Sequence, residues 1–281
     1  MKPLRRMWVL KRITCALTTA LLMSAALPAM AQEHPILRVG MECAYAPFNW
    51  TQKDGENGAV AISGSKEYAN GFDVMVAKKV AEQLGMDLEI YKIKWDGLIM
   101  AVNAGKVDAV IAGMSITEKR KMSVDFSNVY YRAGIVALTT RSGPFAKAAK
   151  LEDLAGVSAT AQLNTIWYEM IDQIPGVRKQ PALDTLATML VALSSGKVDV
   201  VICDIPTAMA AELSNSKIMM LELSDGGFAT ATEDTDCGIA VRKGNTALLK
   251  GINEALSGIS PKEREELMRR SIEIQPLAQG M

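Results

Sequence analysis

Polar residues follow two apolar segments that are typical of buried strands. Residues 109–112 lead into Gly113-Met114-Ser115, and residues 200–203 lead into Asp204. A hydroxyl group, the open backbone of a glycine and a carboxylate can each hold a small polar molecule by hydrogen bonds or charge. Ligands of open α/β sheets lie off the carboxyl ends of strands, so we expect a binding site at these two ends. Alternatively, Asp204 caps the helix that follows it.

The sequence offers little for nucleophilic or metal-dependent catalysis. His34 is the only histidine, and it precedes the first predicted strand. This excludes Ser-His-Asp and Cys-His machinery and zinc motifs of the His-Glu-x-x-His type. Phosphate-binding glycine loops are absent as well, although carboxylate acid–base chemistry remains open. The composition therefore favours a binding protein over an enzyme, with no cofactor and no metal.

The elements that position these groups are present in two copies. Gly105-Lys106-Val107-Asp108 and Gly196-Lys197-Val198-Asp199 each follow an amphipathic stretch and each lead into an apolar run. A helix that ends at a glycine and is followed by a buried strand is half of a parallel βαβ unit. Two such halves predict two α/β lobes of the same design, whose strand ends face each other across a cleft.

The remaining pattern fits a chain that leaves its first lobe and later returns to it. We therefore expect two hinge strands. The other predicted elements are strands at 36–41, 88–95, 134–140 (crossing between lobes), 157–161 and 238–241 (returning), a loop at 44–50, a hairpin or loop at 55–71, and helices at 73–84, 165–174, 206–213, 246–256 and 261–271.

The first 31 residues have the features of a secretory signal peptide. Five basic residues precede a short apolar stretch that ends in Ala29-Met30-Ala31. The whole chain has 31 basic and 31 acidic residues, so removal of this leader leaves a net charge of −5. We expect a periplasmic or extracellular protein without a nucleic-acid partner, because phosphate binding needs clustered cations. Cys43, Cys203 and Cys237 remain in the mature chain, and the sequence leaves their pairing open.

Seven segments, in order along the mature chain, match one known family. They are residues 42–50, 71–74, 95–98, 112–120, 124–127, 203–206 and 238–244. The most specific is Ala112-Gly113-Met114-Ser115-Ile116-Thr117-Glu118-Lys119-Arg120. The chain resembles the family 3 extracellular solute-binding proteins of polar amino-acid ABC importers. The resemblance implies an α/β, two-lobed type II periplasmic-binding fold with two hinge strands, with lobe one at 32–131 plus 238–281 and lobe two at 132–237.

The resemblance also implies how the two ends of a zwitterionic ligand are bound. Arg120 would clamp the ligand carboxylate, because a guanidinium fork suits a carboxylate, and Asp204 would bind the ammonium group. Thr165 opens a predicted helix, whose free backbone N–H groups favour an anion. Tyr45 and Trp95 match positions where aromatic rings stack on the ligand side chain.

The remaining implied residues concern the ligand side chain and the backbone. Glu42 matches the position of an acidic selector, which would favour a basic or amide side chain, and Gln162 could add a hydrogen bond. Ser115 and the backbone at Gly113 would add polar contacts. Asn164 stands where relatives often carry glycine, which puts the local backbone shape in question.

Two functions follow from the resemblance. In the first, a monomer binds a free amino acid outside the cytoplasmic membrane and delivers it to a membrane-bound ABC permease. The alternative is an exported cyclohexadienyl or arogenate dehydratase on the same fold, which needs a carboxylic acid such as Glu42 or Glu169 near the leaving hydroxyl.

Overall fold

The computed structural model describes residues 34–224 and 227–276, so the predicted leader at 1–31 lies outside the described residues. The strands are β1 (Ile36–Met41), β2 (Ala44–Tyr45), β3 (Asn49–Gln52), β4 (Val60–Ala61), β5 (Tyr68–Asn70), β6 (Asp87–Lys92), β7 (Ala109–Val110), β8 (Val124–Phe126), β9 (Tyr131–Arg132), β10 (Ile135–Thr140), β11 (Ser158–Thr160), β12 (Arg178–Lys179), β13 (Val200–Asp204), β14 (Ile218–Met220), β15 (Asp236–Cys237) and β16 (Ala240–Arg242).

The α-helices of the described residues alternate with these strands. They are α1 (Phe72–Leu84), α2 (Leu98–Asn103), α3 (Glu118–Lys121), α4 (Ile166–Met170), α5 (Leu186–Ser194), α6 (Ile205–Ser214), α7 (Thr232–Thr235), α8 (Thr246–Ser257) and α9 (Pro261–Ile274). Several begin and end as the sequence predicts. For example, α1 ends at Gly85, which adopts the left-handed conformation at φ +64°. Among the residues described, no helix combines the length and apolar character needed to cross a bilayer.

Two five-stranded sheets form the centres of two lobes. The first sheet has the order β6-β1-β7-β16-β8, and the second has the order β12-β11-β13-β10-β14. In each sheet the first three strands are parallel, and the fourth runs antiparallel to its neighbours. Apolar side chains from the strands and helices form the buried core. The predicted two-lobed α/β fold is confirmed.

The two copies of the Gly-Lys-Val-Asp motif have the same local structure. Gly105 after α2 and Gly196 after α5 both have φ +72°, a conformation that glycine adopts most easily. The carboxylate of Asp108 accepts from the backbone N–H of Arg38 at 2.9 Å, and that of Asp199 accepts from the N–H of Ser158 at 2.8 Å. Each motif therefore joins its own strand to the neighbouring parallel strand.

Two short strands connect the lobes. β9 pairs with β15 in antiparallel register, Tyr131 opposite Cys237 and Arg132 opposite Asp236. The backbone of Ser115 bridges to Cys237, so the end of the first motif is attached directly to this hinge. The prediction that the strand at 134–140 crosses between the lobes is wrong. This strand, β10, lies inside the second sheet, and the chain crosses between the lobes earlier, at β9.

The segment after β1 also differs from its prediction as a loop. β2 and β3 form a hairpin, and β5 and β4 extend it into a four-stranded sheet. Pro47 stands between the two strands and led to the prediction of a loop. The backbone of the turn is held instead by α1, because the carbonyls of Pro47 and Phe48 accept from the first N–H groups of that helix.

Candidate functional site

All nine residues predicted for the site line one cavity between the two sheets. The space between the protein atoms here is about 400 Å³, open solvent included, and we call it the inner cavity. The predicted residues that line it are Glu42, Tyr45, Trp95, Gly113, Ser115, Arg120, Gln162, Thr165 and Asp204. The others are Phe48, Ala112, Ala133, Ile166 and Trp167. Residues from four different strand ends thus meet in one place.

Arg120 brings a cation to this cavity that has no carboxylate partner among the described residues. It lies on the single-turn helix α3, and its guanidinium donates to the carbonyls of Ser115 at 2.9 Å and Asn164 at 3.3 Å. The guanidinium carbon lies 5.2 Å from the centre of the Trp95 ring. Burial lowers the pKa of Arg120 to about 10, which still leaves it charged at neutral pH. The neighbouring Lys121 instead pairs with Glu118 at 2.7 Å.

Asp204 brings an anion to the same cavity. Its side chain is 1% exposed, and burial raises its pKa. One carboxylate oxygen accepts from the backbone N–H of Thr207 at 2.8 Å, and the other accepts from the Tyr45 hydroxyl at 2.6 Å. Asp204 is therefore a helix cap and a cavity-lining group at once, which combines the two alternatives that the sequence left open. No cation of the described residues bonds to it.

Glu42 and Gln162 meet across the cleft although they are far apart in sequence. The Gln162 amide donates to both carboxylate oxygens of Glu42, at 3.1 and 3.0 Å, and to the carbonyl of Asp184 at 3.1 Å. Burial raises the pKa of Glu42 to about 7, nearby Asp184 and Asp96 raise it further, and the bond from Gln162 opposes the rise. This carboxylate, 6% exposed, also has no cationic partner in the described chain.

A buried network that sequence reasoning missed holds the backbone at Gly113. The N–H of Gly113 donates to the Tyr130 hydroxyl at 2.8 Å, and that hydroxyl donates to Asp73 at 2.7 Å. The Asn49 amide donates to the same carboxylate at 2.8 Å. Gly113 has φ +59°, and a Cβ there would lie 3.1 Å from the ring of Phe48, so both the backbone conformation and the space favour glycine. The only signal for this network was the Gly71-Phe72-Asp73 segment.

The turn at 162–165 carries the second lobe's side of the cavity. Asn164 adopts φ +57°, the left-handed region that glycine would occupy, and asparagine tolerates it better than most residues. Its carbonyl accepts from the Trp95 indole at 3.2 Å as well as from Arg120. The Thr165 hydroxyl donates to the carbonyl of Gln162 at 2.6 Å and does not cap α4. Its hydroxyl thus fixes the turn, and any anion contact falls to its backbone.

The chemistry of the inner cavity is that of charge recognition. Arg120 and Asp204 bring opposite charges, and neither is neutralised by a charged residue of the described chain. Unpaired charges in a partly dry site are costly unless a ligand compensates them. Within the residues described, no group of three His, Cys, Asp or Glu could hold a metal ion. Cys43, Cys203 and Cys237 are buried and unpaired, which answers the question the sequence left open.

Comparison of this chain with known proteins identifies similar proteins that bind amino acids. The L-cystine-binding protein TcyJ of Escherichia coli K12 is 30% identical over 227 residues, which cover 80% of this chain and 78% of that protein. A crystal structure of the substrate-binding protein of an amino acid ABC transporter is 28% identical, with a TM-score of 0.69 over 85% of this chain and 99% of that one.

A third similar protein is relevant to the dehydratase alternative. The crystal structure of the ancestral amino acid-binding protein AncCDT-1, a precursor of cyclohexadienyl dehydratase, is 29% identical, with a TM-score of 0.70 over 84% of this chain and 95% of that one. The model of the bacterial extracellular solute-binding proteins, family 3, matches residues 37–272. The chain belongs to the family 3 bacterial extracellular solute-binding proteins.

Proposed function

We propose that this protein binds a free polar amino acid in the inner cavity. The observation that carries the proposal is the pair formed by Arg120 and Asp204, one cation and one anion without charged partners in the described chain. An α-amino acid at neutral pH is a zwitterion, so its carboxylate matches Arg120 and its ammonium matches Asp204. The Tyr45 hydroxyl already donates to Asp204 and orients the carboxylate for a second, charged donor.

The other lining groups complete the contacts. Backbone groups at Gly113 and Ser115 and the backbone of Thr165 supply further donors and acceptors to the α-carbon substituents. Trp95 and Tyr45 present ring faces to the aliphatic part of the ligand side chain. Gln162 lies beside the path that this side chain takes toward Glu42.

Glu42 favours a ligand with a basic or amide side chain. Its carboxylate is buried beside two further acids and has only an amide partner. Burial is the main cause of the raised pKa of Glu42; a ligand cation at this point would favour the ionised carboxylate, and a ligand carboxylate would add to the repulsion from Asp184 and Asp96. Among the similar proteins, TcyJ is named for L-cystine, an amino acid that carries a second ammonium group.

Binding is proposed to serve transport. A ligand that contacts both lobes stabilises the closed state by its differential affinity, and the closed, monomeric protein then docks on an ABC permease. The leader predicted at 1–31 and the extracellular solute-binding family support a location outside the cytoplasmic membrane, in the periplasm or beyond. Lobe one at 32–131 plus 238–281 and lobe two at 132–237 would be the moving parts.

One observation favours the second candidate function. With its pKa raised to about 7, Glu42 holds a proton near neutral pH and is able to act as a general acid, which a cyclohexadienyl or arogenate dehydratase needs. The similarity to a dehydratase precursor is in keeping with this alternative, although that precursor is named as an amino-acid-binding protein. The unpaired Arg120 and Asp204 suit an amino acid better, and we therefore propose no enzymatic role.

A thermal-shift screen tests the proposal directly. The purified exported protein is screened against the twenty amino acids, prephenate and arogenate, since a ligand of the folded state raises Tm by mass action. We expect a shift with basic or amide amino acids that Arg120→Ala and Asp204→Ala abolish. A shift with prephenate or arogenate alone, accompanied by turnover, would replace transport with the dehydratase.

A further inference from the structure

A second cavity adjoins the inner cavity on the far side of Glu42. The space between the protein atoms here is about 900 Å³, open solvent included, and we call it the outer cavity. Glu42 and Trp95 line both cavities, so these two side chains form the boundary between them. Both lobes contribute to the outer cavity, Lys94 and Asp96 from the first and Asp184 from the second. It is therefore part of the same cleft.

The charges of the outer cavity are of both signs and largely unused. Lys94, Asp96 and Asp184 are exposed at the mouth of the cleft, and their side chains make no hydrogen bond or ion pair with any residue the structure describes. Lys92, which also lines this cavity, is occupied, because its ammonium donates to the Thr51 hydroxyl at 2.9 Å. One free cation and two free carboxylates thus face the same space, which is the arrangement that binds an ammonium and a carboxylate together.

Glu42 and Gln162 are bonded to each other at the boundary of the two cavities, where a ligand that spans both would have to pass. The Gln162 amide bridges Glu42 and the backbone carbonyl of Asp184, so the same contact touches the boundary and the wall of the outer cavity. The ring of Trp95 provides apolar surface beside this passage. A ligand stem that crosses here would lie against the ring, with polar groups at both ends.

The geometry points to a second subsite: the outer cavity takes a second amino-acid head group, so the ligand is an elongated amino acid with an ammonium and a carboxylate at each end. This inference rests on the proposed function, because Arg120 and Asp204 must hold the first head. The second ammonium lies toward Asp96 and Asp184, and the second carboxylate lies toward Lys94. A one-headed basic amino acid would reach the acids but would leave Lys94 without a partner.

Calorimetric titration of the purified exported protein tests this inference with matched ligands. L-cystathionine and L-cystine carry two heads, and cystathionine resists reduction. S-methyl-L-cysteine has the same first head and sulfur but lacks the second head. We expect the two-headed ligands to bind at least about tenfold more tightly than S-methyl-L-cysteine, a gain of about 1.4 kcal/mol.

Variants locate the gain. Lys94→Ala and Asp184→Asn should each reduce affinity for L-cystathionine about tenfold and change that for S-methyl-L-cysteine less than about twofold. Unchanged binding of the one-headed ligand also shows that each variant is folded. Lys66→Ala, an exposed lysine on the hairpin sheet outside both cavities, should change neither affinity.

The outcomes separate this inference from the proposed function. Binding of one-headed amino acids with no gain from a second head would overturn the second subsite alone. So would an equal loss for both ligands in Lys94→Ala and Asp184→Asn. If no amino acid bound at all, the proposed function and the second subsite would fall together.

Discussion

The two copies of the Gly-Lys-Val-Asp motif are alike at one end of their strands and unlike at the other. At the start of β7 and β13, Asp108 and Asp199 accept from the backbone of the neighbouring strand at 2.9 and 2.8 Å. At the other end, the first copy leads into Gly113, whose backbone approaches Phe48, and the second ends in the carboxylate of Asp204. The starts of the strands thus hold each sheet together, and their ends line the inner cavity.

The same contrast extends to the adjacent strands. Arg38 in β1 and Ser158 in β11 both bond to the motif aspartate, and four residues later stand Glu42 and Gln162. These two equivalent positions contact each other across the cleft. A duplicated scaffold thus presents different side chains at matching points, which gives a nearly symmetrical cleft an unsymmetrical pattern of charge.

The largest expected effect comes from comparing the two ends of β13. Asp204→Asn keeps the oxygen that caps α6 but removes the charge, so it should weaken amino-acid binding by about a hundredfold to a thousandfold. Asp199→Asn, at the start of the same strand, should change affinity less than about twofold. Calorimetry with the tightest ligand of the screen measures both. Equal losses in the two variants would contradict the division between the two ends.

The free energy of unfolding should depend more on the aspartates at the starts of the two strands than ligand affinity does. Asp108→Ala and Asp199→Ala each leave a strand N–H without its acceptor and remove a charged hydrogen bond, at a cost of about 2 kcal/mol in the free energy of unfolding. The cost should be somewhat higher at Asp108, which also accepts from the Arg38 guanidinium at 3.0 and 2.6 Å, than at Asp199, which also accepts from the Ser158 hydroxyl at 2.7 Å. Urea denaturation followed by circular dichroism measures them. A large cost at one site only would break the equivalence.

The matched positions Glu42 and Gln162 differ in that only one titrates. Because the pKa of Glu42 is raised to about 7, it is mostly protonated at pH 6 and mostly ionised at pH 8. Affinity for a ligand with a cationic side chain should therefore rise about tenfold over that interval. Glu42→Gln, which makes the two positions alike, should flatten this dependence. Calorimetric binding titrations at pH 6, 7 and 8 measure this dependence. If Glu42→Gln left the pH dependence of affinity unchanged, a group other than Glu42 would be responsible for it.

The smallest effect concerns the two motif glycines. Gly105→Ala and Gly196→Ala both place a side chain at φ +72°, which costs about 1 kcal/mol in each copy. Gly196 has open space around it, whereas a Cβ at Gly105 would meet the guanidinium of Arg242. We expect Gly105→Ala to be slightly the more destabilising, as measured by thermal unfolding. A larger cost at Gly196 would show that the surroundings of the two turns differ in another way.

Local patterns predicted much of this fold because each signal was contained in a short segment. Helix α1 with its terminal Gly85 and the repeated motif could be found from spacing alone. The hairpin β2-β3 could not, since its turn is held by hydrogen bonds that the carbonyls of Pro47 and Phe48 accept from the start of α1. The crossing from the first lobe was assigned to the strand at 134–140 and not to β9, because β9 and β15 are only two residues each, too short for any periodicity.

The candidate site shows the same limit more sharply. Resemblance placed Arg120 and Asp204 in one cavity, and the structure brings them there. The hydrogen bond between Gln162 and Glu42 joins residues 120 positions apart in the sequence, and no local sequence pattern predicts it. The network from Gly113 through Tyr130 to Asp73 was missed for the same reason. Contacts between distant segments depend on packing, which single-residue types do not reveal.

The pairing of the two hinge strands has a mechanical consequence. Because β9 and β15 are hydrogen-bonded to each other, and Arg132 also pairs with Asp236 at 2.6 Å, the two connections cannot twist independently. A bend at this joint therefore has to move both strands together. A ligand bound between the lobes, as proposed above, would set that bend by its length. Under the proposed function, the angle between the lobes would then depend on the size of the ligand.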